Sequence, residues 1–511
     1  MKSLKIFSFA VAVVVMLSSC SASWLDTQTN GSTLTQDQFD ALTNPTEGLV
    51  NGLYSLLYVS NGDHHYFGQK SIDMATDLLS SDMAMTLNAY GWFTDAATRT
   101  CSTGSSGRNS YIWSYYYTII MNANTAIRKM APRQNEFTDD ELAVYAQALT
   151  LRAYCYYNLA TLYNPGLMND ETPDMFTGGT GLGYSSIPIY TENDTTETGL
   201  IKEQYVSSVG EAYEFAINDL RTAIAFFDSV DFVRMNKLIV DADVARGLLA
   251  YCYLEDQQYD KAYQTAKELI DSRHFSIIPY DNVLTTGFVS VEDNSWMWGS
   301  DVTIETTTGL ASFWGHMDIH TYSYASAGAT KAIDDQLFEL IPRSDIRRQW
   351  FDTTKKFIND YKFYDKARGV LADELDRRWL NDLVYMRIEE MYLIGAEAAY
   401  RDDQFDNSKN LMIELLDQRD KELADKMITW TKAEHSNALR EQIYYNWRVE
   451  MWGEGRALAT YKRFGGRKTR GNNHYNGAGE EVSVTDIRLT FQTPNGEINT
   501  NSTFFPDKEE E

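Results

Sequence analysis

Cysteine is scarce in this chain: four residues in 511, at positions 20, 101, 155 and 252. That excludes a disulfide framework and leaves room for one bridge at most. Cys155 and Cys252 sit inside apolar helical runs, where a thiol packs as a small hydrophobe. Basic residues are also in deficit, with 45 Lys and Arg against 72 Asp and Glu and a formal net charge of −27. A chain this acidic is repelled by nucleic-acid phosphates and anionic lipid, so neither is expected as a partner. Long apolar runs are missing too. The longest, Ile6 to Leu17, has twelve residues, well short of the ~20 needed to span a bilayer.

Catalytic signatures are absent as well. No GxSxG elbow occurs, and "GGTGLGYS" at 178–185 lacks the GK[ST] of a phosphate loop. "HMDIH", His316 to His320, spaces two imidazoles by four but lacks the Glu of a zincin and any legible third ligand. His64-His65 is a bare pair that reads as solvated loop. No metal, cofactor or catalytic residue is expected, which favours binding over catalysis. A glycoside hydrolase remains the enzymatic alternative, because 72 acids offer many pairs whose separation a sequence does not show.

What is present begins at the N-terminus. Lys2 and Lys5 precede the apolar run, and "LSSC" follows it, with Leu17 three residues before Cys20. This resembles a bacterial lipobox, which predicts removal of residues 1–19 and a lipid on Cys20. Losing the two lysines moves the net charge to −29.

Helical periodicity dominates the rest. "FTDDELAVYAQALTLRAYCYYNLATLYNP" opens on Thr138 with Glu141 three residues on, a capping-box pattern. "EQYVSSVGEAYEFAINDLRTAIAFF" predicts a second long helix. "DADVARGLLAYCYLEDQQYDKAYQTAKELIDS" reads as helix, turn, helix, with Ala250, Tyr259 and Ala262 where tetratricopeptide repeats place packing residues. The same grammar returns 146 positions later, where Ala396, Phe405 and Ser408 take those places. The prediction is a mostly α fold of tetratricopeptide-like hairpins supporting an irregular, loop-rich half with a few short strands. Domain boundaries are expected at 1–19, 20–280 and 281–511, with loop-rich insertions at about 60–113 and 281–330. From Gly465 the tail turns polar.

Aromatics make up 13 % of the chain, with 33 Tyr and 11 Trp. Sugar rings present apolar C–H faces that stack on Trp and Tyr, and their hydroxyls need amide or carboxylate partners. Three loop clusters fit that chemistry. The first holds Asp82, Asn88, Tyr90, Trp92 and Phe93; the second Trp296 and Trp298; the third Trp314, Tyr322 and Tyr324. Trp296 and Trp298, two apart, fit one face of a core strand equally well. Of all these, Trp92 and Trp314 lie in Gly-flanked loops and are the leading ligand contacts.

The order of motifs resembles the SusD/RagB-like outer-membrane lipoproteins of the Bacteroidetes. "CSASWLD", "LRAYCYYNLATLYNPG" with "SSIPIY", "EQYVSSVGEAYEFAINDLRTAI", the central "RMNKLIVDADVARGLLAYCYLEDQQYDKAYQTAKELI" and "YMRIEEMYLIGAEAAYR" follow one another as in that family. Near the end, "NWRVEMWGEGRALATYKRFG" matches at Arg448, Glu450, Glu454, Gly455, Arg463 and Gly465. It departs at Asn446, Ala457 and Thr460, within a segment that reads as a structural ion-pair array. The resemblance implies about four helix pairs and no catalysis. It also implies capture of an oligosaccharide, or in some members a peptide, for a partner SusC-like TonB-dependent outer-membrane transporter. The outer membrane would be reached through the lipid on Cys20. The resemblance transfers no ligand residue.

Overall fold

The computed structural model describes residues 45–58, 63–164, 187–194, 204, 206–285, 287–365 and 379–501. Cys20 and the glycines of 178–185 lie outside them. The chain divides into two units, Met1–Gly48 and Leu49–Glu511, and the helices and strands of the frame and the site all belong to the second.

Helices supply the frame: α1 (Gln69–Ser80), α2 (Gly107–Met130), α3 (Asp139–Tyr163), α4 (Val209–Asp228), α5 (Ala242–Glu255), α6 (Tyr259–Ser272), α7 (Ile388–Arg401), α8 (Phe405–Asp417), α9 (Lys432–Glu450) and α10 (Ala457–Phe464). From α2 to α8 each helix packs on its neighbours in chain order, and α6 packs directly on α7. Local sequence sets the ends. Thr138 and Glu141 close a capping box on α3, and Ser208 and Glu211 do the same on α4.

The two hairpins 146 residues apart are copies in backbone detail. After α5, Gln257 is left-handed at φ 60° and Gln258 N donates to Tyr253 O at 2.8 Å. After α7, Asp403 is left-handed at φ 62° and Gln404 N donates to Ala399 O at 2.8 Å. Tyr259 and Phe405 then open α6 and α8. Ser408 is buried and its hydroxyl donates to Ala396 O at 2.7 Å, so the small residues mark the helix–helix contact.

Strands are short. A four-stranded antiparallel sheet runs β1 (Met83–Met85), β3 (Lys331–Ile333), β5 (Ile358–Asn359), β4 (Phe351–Asp352). β2 (Trp296–Ser300) pairs with β6 (Leu383–Arg387), and β7 (Arg467–Thr469) with β8 (Glu481–Ser483). The stretch 60–113, expected as loop, contains the whole of α1. Every residue of α1 is buried, including Lys70, Asp73 and Asp77, so it lacks the apolar stripe that marks a surface helix. The polar tail returns to the frame, where Phe491 is buried and its N–H donates to Leu162 O at 3.1 Å. Cys101, Cys155 and Cys252 are free thiols, all buried.

Candidate functional site

The β1–β3 ladder assembles the site. Met83, Ala84 and Met85 pair with Ile333, Ala332 and Lys331. Beyond the strands the pairing continues, with Thr86 N donating to Thr330 O at 3.2 Å and Ala89 N to Gly328 O at 2.7 Å. Gly328 has φ 126°, and a Cβ there would meet the Ala89 Cβ at 2.8 Å, so glycine allows this approach. Loops 86–94 and 320–330, some 240 residues apart in sequence, therefore meet edge to edge.

Asn88 shapes the first loop. Its amide donates to Thr94 Oγ1 at 2.7 Å and to Trp92 O at 3.3 Å, while its Oδ1 accepts from Gly91 N at 2.8 Å. The turn buries Phe93 and leaves Trp92 half-buried above it. His64 stacks on Trp92 with ring centroids 4.9 Å apart and planes at 21°. Tyr324 stands edge-on to both, and its hydroxyl shares a hydrogen bond with His64 Nδ1. Tyr90, 44 % exposed, meets Tyr324 edge-on at 5.5 Å, and Tyr322 is 51 % exposed beside it in sequence. The result is a partly exposed platform of Tyr90, Trp92, His64 and Tyr324. His64 was not legible in the sequence, because a bare His pair in a loop carries no periodicity or motif.

A polar underlayer fixes the platform. His316, buried, bridges Lys331 and the 64–65 loop: its Nε2 lies 2.8 Å from His64 O and its Nδ1 3.1 Å from Lys331 Nζ. Burial beside the Lys331 ammonium holds the imidazole pKa well below the usual value, so it is neutral. The ring then donates from Nε2 to His64 O and accepts from Lys331 at Nδ1. On the other side Arg108 donates to His65 O at 3.2 Å and pairs with Asp95 at 2.7 Å.

Three sequence-predicted contacts are corrected. Asp82 is fully buried, paired with Arg448 at 2.7 Å and Lys468 at 2.9 Å, so it anchors the frame. Trp296 is fully buried in β2 with its Nε1 donating to Gly287 O at 2.9 Å, as the strand-face alternative had it. Trp314 is 3 % exposed with its Nε1 donating to Asp382 O at 3.2 Å, and its face is closed off by Phe313 and Phe363. Flanking glycines signalled backbone freedom there, not exposure. Asn88 belongs to the site as the residue that shapes the Trp92 loop.

His316 and His320 do not converge. The helix Phe313–Met317 ends between them, and His320 turns to Asp360 instead, 3.0 Å away. Among the described residues no cluster of three or more His, Cys, Asp or Glu could hold a metal ion. The Arg448–Arg463 segment is a buried ion-pair array. Glu450 takes Arg347, Arg387 and Arg419, Glu454 takes Lys362 and Arg387, and Arg463 takes Glu397. Asn446, at a departure from the family pattern, accepts from Arg347 at 2.7 Å.

Residues 23–272 match the family model described as "SusD-like_3: Starch-binding associating with outer membrane". A SusD-like carbohydrate binding protein from Bacteroides vulgatus shares the fold at TM-score 0.71 with 23 % identity, covering 90 % of this chain and 96 % of its own. Residues 23–272 thus match a SusD-like family model, and the fold is the one seen in SusD-like proteins. A SusD superfamily protein from Bacteroides thetaiotaomicron matches at TM-score 0.70 and 18 % identity over 90 % and 98 % of the two chains. One from Parabacteroides distasonis matches at 0.65 and 16 % over 92 % and 99 %. No curated protein sequence matches. Among the described residues no helix is long and apolar enough to cross a membrane.

Proposed function

We propose that the chain is a surface lipoprotein that captures an oligosaccharide on the Tyr90–Trp92–His64–Tyr324 platform and passes it to a SusC-like, TonB-dependent outer-membrane transporter. One observation carries the ligand reading: three segments remote in sequence bring His64, Tyr90, Trp92 and Tyr324 into one partly exposed aromatic group, held by hydrogen bonds. Sugar C–H faces stack on such rings, and a platform ordered before the ligand arrives loses little entropy on binding. The solved relatives, a carbohydrate binding protein among them, support the same ligand class. The lipobox supports a lipid on Cys20 as the tether, and the family's association with the outer membrane supports that membrane as its destination.

Capture without cleavage is the better-supported chemistry. Two carboxylates in or next to the loops that build the platform are engaged: Asp95 by Arg108, and Asp63 by His65 at 3.4 Å. Titration calorimetry of the chain lacking residues 1–20 against a glycan panel tests both parts. Saturable binding of a glycan that is returned uncut after prolonged incubation is expected. Release of new reducing ends would contradict the binding-only reading, and a panel with no binder would contradict the ligand class.

A further inference from the structure

A second aromatic cluster is built around His320, which belongs to the 318–324 turn leading into Tyr324. Tyr361 and Tyr364 meet edge-on at 5.1 Å, and the His320 ring lies 4.4 Å from Tyr364 and 6.5 Å from Tyr361. Tyr361 is 38 % exposed, while the intervening Lys362 and Phe363 are buried. The backbone beneath is rigid, since Asp360 N and Tyr361 N both donate to Trp350 O, at 2.8 and 3.1 Å. His320 is held in place through its Nε2, 3.0 Å from Asp360 Oδ1 and 3.1 Å from Asp360 O. Tyr361 is exposed and Tyr364 half-buried, so the two rings and His320 form a contiguous aromatic group that reaches the surface.

The turn that joins the clusters is short and closed on itself. Asp318 Oδ1 accepts from His320 N at 2.8 Å, its Oδ2 accepts from Thr321 Oγ1, and its carbonyl accepts from Ser323 Oγ. Ser326 Oγ donates to Thr321 O at 2.6 Å. His320 and Tyr324 are four positions apart, at most ~14 Å even if fully extended, and the turn is far from extended. Tyr322, half exposed, stands between them in sequence.

We propose that the binding surface continues from the Trp92–Tyr324 platform across the 318–324 turn onto His320, Tyr361 and Tyr364, so that the ligand is an oligosaccharide seating separate sugar rings on the two clusters. This rests on the proposed glycan-binding function and adds a length requirement: one ring reaches one cluster, and a longer glycan engages both.

The test uses gluco-, manno-, xylo- and galacto-oligosaccharides, each from disaccharide to heptasaccharide, titrated into the wild-type chain, Trp92→Ala and the double variant Tyr361→Ala/Tyr364→Ala. In the series that binds, affinity should rise with length. The double variant should lose about tenfold on the longest member, as expected for one lost stacking contact, and bind the disaccharide as wild type does. Where the pair of substitutions lowers the melting temperature, Tyr361→Ala alone carries the comparison, since that ring is the more exposed. Length-independent affinity, or wild-type affinity for the longest member in a folded variant, would overturn the extension. So would an equal loss at every length. If Trp92→Ala still weakens binding in those cases, the glycan-binding reading stands without it. No binding in any series would remove both.

Discussion

At the scale of residues, exposure separates tryptophans that the sequence could not tell apart. Trp92 and Trp314 both follow or precede a glycine, yet one caps a surface loop and the other fills the core. Trp92→Ala should weaken glycan binding by about 1–3 kcal/mol and, because the ring is only half-buried against the core, lower the unfolding midpoint less than loss of a fully buried tryptophan. Trp314→Ala should do the reverse, costing about 3–5 kcal/mol in denaturant unfolding. Lys331 makes a second prediction. Its ammonium is buried, bonded to Ala329 O at 2.7 Å and to His316 at 3.1 Å, and desolvation lowers its pKa to about 7. The unfolded chain keeps that lysine at its ordinary 10.5, so between these values the unfolded state binds more protons than the folded one. Stability from this group therefore rises as pH climbs from about 7 to 10.5 and is lost as pH falls. Urea unfolding of wild type and Lys331→Met across that range checks it, the variant losing the rise. Equal pH slopes would show that Lys331 is not desolvated as described.

At the scale of elements, local grammar was legible and long-range closure was not. Capping boxes and the repeated hairpin lie within a few residues of sequence, so Thr138, Glu141, Ala250 and Ala396 could be read directly. Asp82 could not, because its partners Arg448 and Lys468 lie 366 and 386 positions away. A carboxylate whose cations arrive from the other end of the chain looks like a free surface acid in sequence. The platform was half legible for the same reason: Tyr90, Trp92 and Tyr324 stood out as aromatics in loops, but nothing local announced that β1 and β3 would pair. α1 shows how such closure is built. Asp77 accepts from Gly453 N at 2.8 Å, Gly455 N at 3.2 Å and Ala457 N at 3.3 Å, pinning the turn that leads into α10. Asp77→Ala would leave those buried donors unmatched and should cost about 3 kcal/mol or more, read as a shift in the urea midpoint. Gly455→Ala should also destabilise, since φ there is +80° and a Cβ would lie 2.6 Å from Asp73 Oδ1.

At the scale of the whole molecule, a helical frame that runs in chain order carries an irregular half whose loops form the partly exposed platform. A net charge of −27 repels anionic lipid, so the proposed membrane placement would rest on the proposed tether and partner. In cells lacking the partner transporter, Cys20→Ala should move the protein from the membrane fraction to the soluble one. Unchanged partitioning would contradict the lipid anchor. The most direct test of the binding surface is a crystal structure of the chain with the tightest oligosaccharide from the panel. Sugar rings are predicted against Trp92 and Tyr324. Rings bound elsewhere, for example in the groove of about 410 Å³ beside Trp113, Tyr117 and Tyr190, with the platform empty, would contradict it.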